Sequence, residues 1–265
     1  KGALDLQGAV GAVVRQCTLY RAGRDIIQHH QAKKIRLEYN DLYYANLLNN
    51  DAAATYAWST DGEGSVIAYN WVHDNTGESC NGIYLDNFCR NFVVHHNVIW
   101  NNRYCGIRLN SDALNHLICN NTITRNGSPF GVFTYHGRTP TQKDTRLINN
   151  LIPGRLRTND AQVFVQGELG PTLSHNGSYP MDARGVPTAG SGAIDAGIVV
   201  PGITMQQRQP AGPPSKARSV ARNTCRAAAA DLARSGSSSL AGSASLLSTL
   251  SSKVEGQSTP RNDKQ

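Results

Sequence analysis

Two stretches decide the fold: Ser65-Val66-Ile67-Ala68-Tyr69-Asn70-Trp71-Val72-His73-Asp74-Asn75 and Phe92-Val93-Val94-His95-His96-Asn97-Val98-Ile99-Trp100. In both, an Asn is flanked by apolar residues at −3 and +2 within an alternating run. Working outward, the same triplet occurs as Leu37/Asn40/Leu42, Ile118/Asn121/Ile123 and Leu147/Asn150/Ile152. Val14/Cys17/Leu19 is a degenerate first copy, and successive anchors are 23, 30, 27, 24 and 29 residues apart. All twelve flanking positions are apolar, so this is an internal repeat whose period is too short for helix pairs.

Each copy also carries a second short strand pattern: Gly82-Ile83-Tyr84-Leu85, Gly106-Ile107-Arg108-Leu109, Gly131-Val132-Phe133-Thr134 and, less clearly, Gln162-Val163-Phe164-Val165. The interval from this strand to the next Asn is 14 residues from Ile83 and again from Ile107, and 18 from Val132, where the polar insert Gly137 to Lys143 intervenes. The interval from each Asn to the next such strand varies, so one turn carries the long loops. Short strands with alternating burial and a polar residue at one corner of every copy describe a coil of three strands per rung, an all-β parallel β-helix of about six rungs. The Asn amide both donates and accepts, so stacked asparagines can bond to one another and to the backbone inside a tight bend.

The quoted runs, together with Asn81-Gly82-Ile83-Tyr84-Leu85-Asp86-Asn87, resemble the right-handed parallel β-helix repeat proteins of the pectin-lyase-like superfamily, from about Ala12 to Ile198. The resemblance implies a right-handed coil and a carbohydrate-related role. Function stays open on that ground, since lyases, glycosidases, epimerases and adhesins share the fold. Gly190-Ser191-Gly192-Ala193-Ile194-Asp195-Ala196-Gly197 is similar to a Gly-Ser-Pro-Ala-Ile-Asp-Ala-Gly signature near the end of such coils, with Gly192 in place of Pro. The expected organisation is a β-helix domain over 1–198, a fragment of a longer coil because it begins mid-coil, and a largely disordered basic tail over 199–265.

Charge divides unevenly. Of the net +7, the segment from Pro201 carries +6 (nine Lys/Arg against three acids), leaving +1 for the first 200 residues. That segment is Ser/Ala-rich and lacks aromatics, which reads as a solvated extension with at most a short helix near Ala227 to Arg234. Its charge therefore gives no reason to expect a nucleic-acid partner. No apolar run reaches eighteen residues, so no membrane-spanning helix is expected, and the first residues lack a signal-peptide pattern.

On the Gly-Ile-type strand, alternation points Ile83 and Leu85 inward and Tyr84 and Asp86 outward. With small Thr55 and Ala57 placed inside, the outward face reads Tyr56/Trp58, Tyr84/Asp86, Arg108/Asn110 and Phe133/Tyr135. Aromatic platforms beside carboxylates and an arginine suit a polysaccharide or oligosaccharide, although such residues are also common on ordinary β-surface. The long loops Tyr43 to Ala54 and His73 to Asn81 bring Asp51, His73, Asp74 and Glu78 toward this face. The expected activity is glycoside hydrolysis by Asp86 paired with Asp51 or Asp74 at the spacing of one or two rungs, with Arg108, Asn110, Tyr135 and His73 in substrate binding and Tyr56, Trp58 and Tyr84 as stacking surface. The alternatives are a polysaccharide lyase or uronate epimerase, using Arg108 with His73 or Tyr84, and a non-catalytic binding or adhesin module. The expected location is extracellular or periplasmic.

No cofactor is expected. His95-His96 and His29-His30 lack a third ligand at matching spacing, and calcium through Asp51, Asp61 and Glu63 is the remaining metal candidate. The six cysteines show no framework spacing, though Cys80 and Cys105 stand before equivalent strands and are a candidate pair. Asn120, Asn126 and Asn176 each begin an N-glycosylation acceptor triplet.

Overall fold

The computed structural model describes residues 2–133, 141–152, 157–158, 170–180, 182, 186–193 and 196–203. Tyr135, the Gln162 to Val165 strand, Asp195, the Ala227 to Arg234 segment and nearly all of the expected tail lie outside the described residues. Among the described residues, nineteen strands form three parallel sheets of seven, seven and five strands, and no residue is helical. The coil is a right-handed solenoid of about six turns. Each of the first five rungs gives one strand to each sheet, as in Cys80–Leu85, Arg90–His95 and Val98–Trp100. No helix long and apolar enough to cross a membrane occurs among the described residues.

The corner between the second and third sheets shows why the sequence coils this way. The residue before every anchor takes a left-handed φ, at Gln16 (56°), Tyr39 (55°), Tyr69 (57°), His96 (53°), Asn120 (55°) and Asn149 (57°). For side chains with a Cβ this costs roughly 1–2 kcal/mol each. The Asn that follows offsets it by joining rungs. Asn97 Oδ1 accepts the Asn70 backbone N–H and Asn70 Nδ2, both at 3.0 Å, while Asn97 Nδ2 donates to Ile67 O at 2.9 Å and to Asn121 Oδ1 at 2.9 Å. The chain of amides runs from Asn40 through Asn150 and on to Asn176, which the triplet misses because its +2 residue is Ser178. Cys17 closes the other end, its backbone N–H donating to Asn40 Oδ1.

A second ladder, absent from the sequence reading, lies five residues after the first: Asn75 Nδ2 donates to Asn102 Oδ1 at 2.6 Å, and Asn102 Nδ2 to Asn126 Oδ1 at 2.8 Å. Two acceptor triplets are thereby used structurally, because Asn126 Nδ2 donates to Ile99 O and Asn176 Nδ2 to Leu147 O. Replacing Asn97 by Ala leaves several buried groups unpaired at once, each worth about 1–3 kcal/mol. A loss of about 3–5 kcal/mol is expected, read from the midpoint shift in urea unfolding at unchanged m-value.

Inward stacks fill the core. Thr55, Ile83, Ile107 and Phe130 form one, and Leu37, Ile67, Val94, Ile118 and Leu147 another, all fully buried. Thr55 and Ala57 point inward as expected. One rung differs: Val132 pairs with Leu109, and Ile107 pairs with Phe130, so this strand sits two residues from its expected register. An even slip keeps every side chain on its face, so Phe133 stays outward but stands beside Asn110, and Gly131 takes the place beside Arg108. Cys80 and Cys105 are buried thiols and are not joined to each other.

Candidate functional site

On the outer side of the first sheet, a cleft of about 820 Å³ crosses the strands Ala52–Ala57, Cys80–Leu85 and Cys105–Leu109. Tyr56, Trp58, Tyr84, Asp86, Arg108 and Asn110 line it, as the alternation of these strands requires, and Asp51 lines it from the loop before the first of them.

Asp86 lies at the centre. Trp58 stands opposite it on one neighbouring rung and Asn110 on the other, by continuation of the registers. Three donors converge on its carboxylate: the Tyr56 hydroxyl on Oδ2 at 2.7 Å, and the Asn87 N–H at 2.7 Å and Asn110 Nδ2 at 2.6 Å on Oδ1. Asn110 Nδ2 also donates to the Tyr84 hydroxyl at 2.7 Å, and Arg108 Nε donates to Asn110 Oδ1 at 3.1 Å. Asp86, Asn110, Tyr84, Tyr56 and Arg108 are therefore one connected unit. Burial holds both phenols well above the ordinary tyrosine range, reinforced at Tyr56 by the charge of Asp86 and partly relieved at Tyr84 by Arg108. Both stay protonated, which makes them proton donors rather than bases.

The expected stacking role moves. Tyr56 is 5% exposed and Tyr84 1%, because guanidinium groups cover their rings, Arg24 at 4.8 Å from Tyr56 and Arg108 at 4.5 Å from Tyr84. These tyrosines direct their hydroxyls to Asp86 and Asn110 and offer no ring face to the cleft. Trp58 and Phe88, each 47% exposed, are the most exposed aromatic surfaces among its lining residues. Arg108 also lies over Phe133 at 4.6 Å and forms no ion pair among the described residues.

Several lining residues escaped the sequence reading, among them Phe88, Tyr104, His30 and Arg24. His30 continues the Trp58–Asp86–Asn110 line, and its Nδ1 accepts the Trp58 N–H at 3.0 Å, leaving the proton on Nε2. Burial, followed by the charge of Arg24, lowers its pKa. Its signal was available, since His30 lies two residues beyond the outward Gln28. Arg24 precedes the strand Ile27–Gln28 and carries no periodic mark.

Asp51 lines the cleft, but not beside Asp86. Ala52 pairs with Cys80, so Asp51 stands opposite Ser79, seven residues before Asp86. In a fully extended strand this separates the two backbone positions by at most about 23 Å, although the Asp51 charge still acts on Tyr56 and Tyr84.

His73 and Asp74 are not brought to this cleft. They belong to the third sheet, where Tyr20, Tyr43, His73 and Trp100 stack rung upon rung at 5.0, 5.0 and 4.2 Å. Asp41 Oδ1 and Asp74 Oδ2 each lie 2.8 Å from a His73 ring nitrogen, and although burial lowers its pKa, hydrogen bonds accepted by these carboxylates raise it on balance. Asn101 donates to the other Asp74 oxygen.

Of the calcium candidates, Asp51 lines the cleft while Asp61 and Glu63 lie together on the second sheet. Asp61 accepts from Arg90 and Asn91, Glu63 pairs with Lys33, and no cluster of three metal-ligating side chains occurs among the described residues. His95 and His96 do meet, Nδ1 to Nδ1 at 2.8 Å, because the left-handed corner at His96 turns its ring back.

Residues 2–168 match the family described as right handed beta helix region. No curated protein matches the chain. A solved structure, the crystal structure of the periplasmic alginate epimerase AlgG, is similar at 17% identity and a TM-score of 0.37, covering 66% of this chain. The chain spans 46% of the length of that protein.

Proposed function

Because the chain belongs to the right-handed β-helix family, we propose that it is a carbohydrate-active enzyme acting on an acidic polysaccharide by proton transfer at a sugar carbon, as a lyase or uronate epimerase. The observation that carries this reading is the connected unit of Asp86, Asn110, Tyr84 and Arg108. Arg108, without an acidic partner among the described residues, takes the substrate carboxylate and stabilises the charge that develops when the adjacent carbon loses its proton. Asp86 receives that proton. In elimination, the electrons of the C–H bond form the new double bond as the glycosidic C–O bond breaks, and the Tyr84 hydroxyl supplies the proton to the leaving oxygen. In epimerisation, a proton returns to the same carbon from the opposite face. Trp58 and Phe88 offer rim surfaces for neighbouring sugar rings.

Hydrolysis by a carboxyl pair, the activity expected from sequence, requires the two groups within about 5–9.5 Å. It draws less support, because register sets the Asp51 and Asp86 backbones far apart. Action in the extracellular or periplasmic space follows from where bulk polysaccharide is met.

A panel of neutral and uronate-containing polysaccharides tests the reading, with products analysed for unsaturated sugars, for reducing ends and for deuterium gained from heavy water. Unsaturated ends or deuterium at the uronate carbon are expected. Reducing ends without either would replace the proposal with hydrolysis, and binding without any product would return the cleft to a non-catalytic role.

A further inference from the structure

One end of the cleft is tied down by a carboxyl group that does not line it. The Asp25 side chain is fully buried. Its Oδ1 accepts the Ala53 N–H at 3.3 Å and its Oδ2 accepts Arg24 Nη1 at 3.0 Å. The Arg24 guanidinium then makes three further contacts. It covers the Tyr56 ring, its Nη2 donates to the backbone carbonyl of Asp51 at 3.4 Å, and its Nη1 reaches Gln28 Oε1 at 3.5 Å. Since Tyr56 donates to Asp86, one line of contacts runs from the buried carboxyl to the centre of the cleft, and a branch runs to the loop that carries Asp51.

We propose that Asp25 is a positioning residue whose negative charge holds Arg24 in place, so that the cleft keeps its working arrangement only while Asp25 is ionised. This regulation rests on the cleft being the substrate site. Few charged or titratable groups among the described residues face Asp25: Arg24 favours its ionisation, and the Cys80 thiol is itself raised by burial and by Asp25. Burial outweighs these and pushes the Asp25 carboxyl up to about 6. Arg24 also faces His30, whose pKa burial and that guanidinium lower; the Asp25→Asn variant separates any His30 titration from that of Asp25. Above about 6 Asp25 is charged and Arg24 is anchored. Below it the carboxyl is neutral, and the charge-assisted bond that fixed the guanidinium weakens.

Amide NMR on the whole chain separates this from the catalytic reading. The Ala53 amide reports Asp25 directly, and exchange of the Asp51 to Ala53 amides reports the Arg24 tie. In the wild type the Ala53 shift is expected to titrate with a midpoint near 6. Exchange, corrected for its intrinsic pH dependence, should become roughly tenfold faster below the midpoint. In Asp25→Asn the titration vanishes and exchange is fast at every pH. Arg24→Gln keeps the Ala53 titration, moves its midpoint upward because a positive charge is lost, and leaves the Asp51 region fast throughout. Turnover of a uronate polymer, if found, should fall with the same midpoint in the wild type. An Ala53 amide that does not titrate between about pH 5 and 7, or exchange indifferent to both variants, would overturn the proposal. Absence of turnover on any glycan would refute the enzyme reading alone, with Asp25 still judged by the amides.

Discussion

Replacing Asp86 by Asn is expected to lower kcat roughly 10²–10⁴-fold, the usual worth of a positioned acid–base group, with the solenoid intact. The surroundings explain why the fold tolerates the change. Asn can keep its oxygen toward the Asn87 N–H and Asn110 Nδ2, and turn its amide nitrogen to the Tyr56 hydroxyl, which can rotate to accept. What disappears is the site for a proton. Stopped assays on a uronate polymer, with circular dichroism as the control for folding, provide the check. Asp74→Asn, on the third sheet, and Asp61→Asn, paired with Arg90, should leave kcat near wild type. Asp51→Asn separates the chemistries: a small effect agrees with elimination or epimerisation, and a loss comparable to Asp86→Asn would restore the carboxyl pair.

The second large effect is on stability toward acid. His29 and His116 are wholly enclosed, and burial lowers both to about 3. Neither His29 ring nitrogen has a partner among the described residues, and His116 uses only Nδ1, accepting the Phe92 N–H. Between an unfolded value of about 6.5 and about 3, the unfolded chain holds protons that the folded chain refuses, so stability falls as pH falls through that window. Each histidine contributes a slope of about 1.4 kcal/mol per pH unit. His95, lowered to about 4, acts in the same direction. Asp25 opposes them, since its raised carboxyl binds a proton in the folded state first and adds stability as pH drops from about 6 toward the usual carboxylate range. His73 adds no slope there, because a histidine with raised pKa has its full contribution below about 6.5 and loses it only as pH climbs through the folded value. The expected result is a steep loss of unfolding free energy below pH about 6. In His29→Leu the slope should be shallower by about 1.4 kcal/mol per unit, with neutral-pH stability equal or higher. Urea titrations at a series of pH values measure it, and equal slopes in the two proteins would contradict it.

The repeat was legible because its anchor performs the same mechanical task in every rung, so Asn recurs at nearly fixed distance from apolar neighbours. The inward and outward sides of each strand followed from alternation alone, and the strand Ser128–Val132 kept its sides even though its register is displaced by two residues. Alternation says that a side chain points outward but not onto which of three sheets. His73 and Asp74 therefore read as neighbours of Asp86 while belonging to a different face. The distance between Asp51 and Asp86 was lost for a related reason: rung counting measures separation along the coil axis, and these residues differ in position along the strand. Arg24 and Asp25 lie between the degenerate anchor Cys17 and the strand Ile27–Gln28, and nothing periodic marks them. The second ladder was visible in principle, as Asn75, Asn102 and Asn126 each follow an anchor by five residues.

The most direct measurement is the footprint of an oligouronate on the Asp86→Asn protein, followed by amide and side-chain NMR. Shifts are expected at Trp58, Asn87, Phe88, Arg108 and Asn110, with Tyr20, Tyr43, His73 and Trp100 unmoved. A footprint centred on the stacked aromatic column of the third sheet, with the residues around Asp86 unchanged, would contradict the assignment of the cleft as the site.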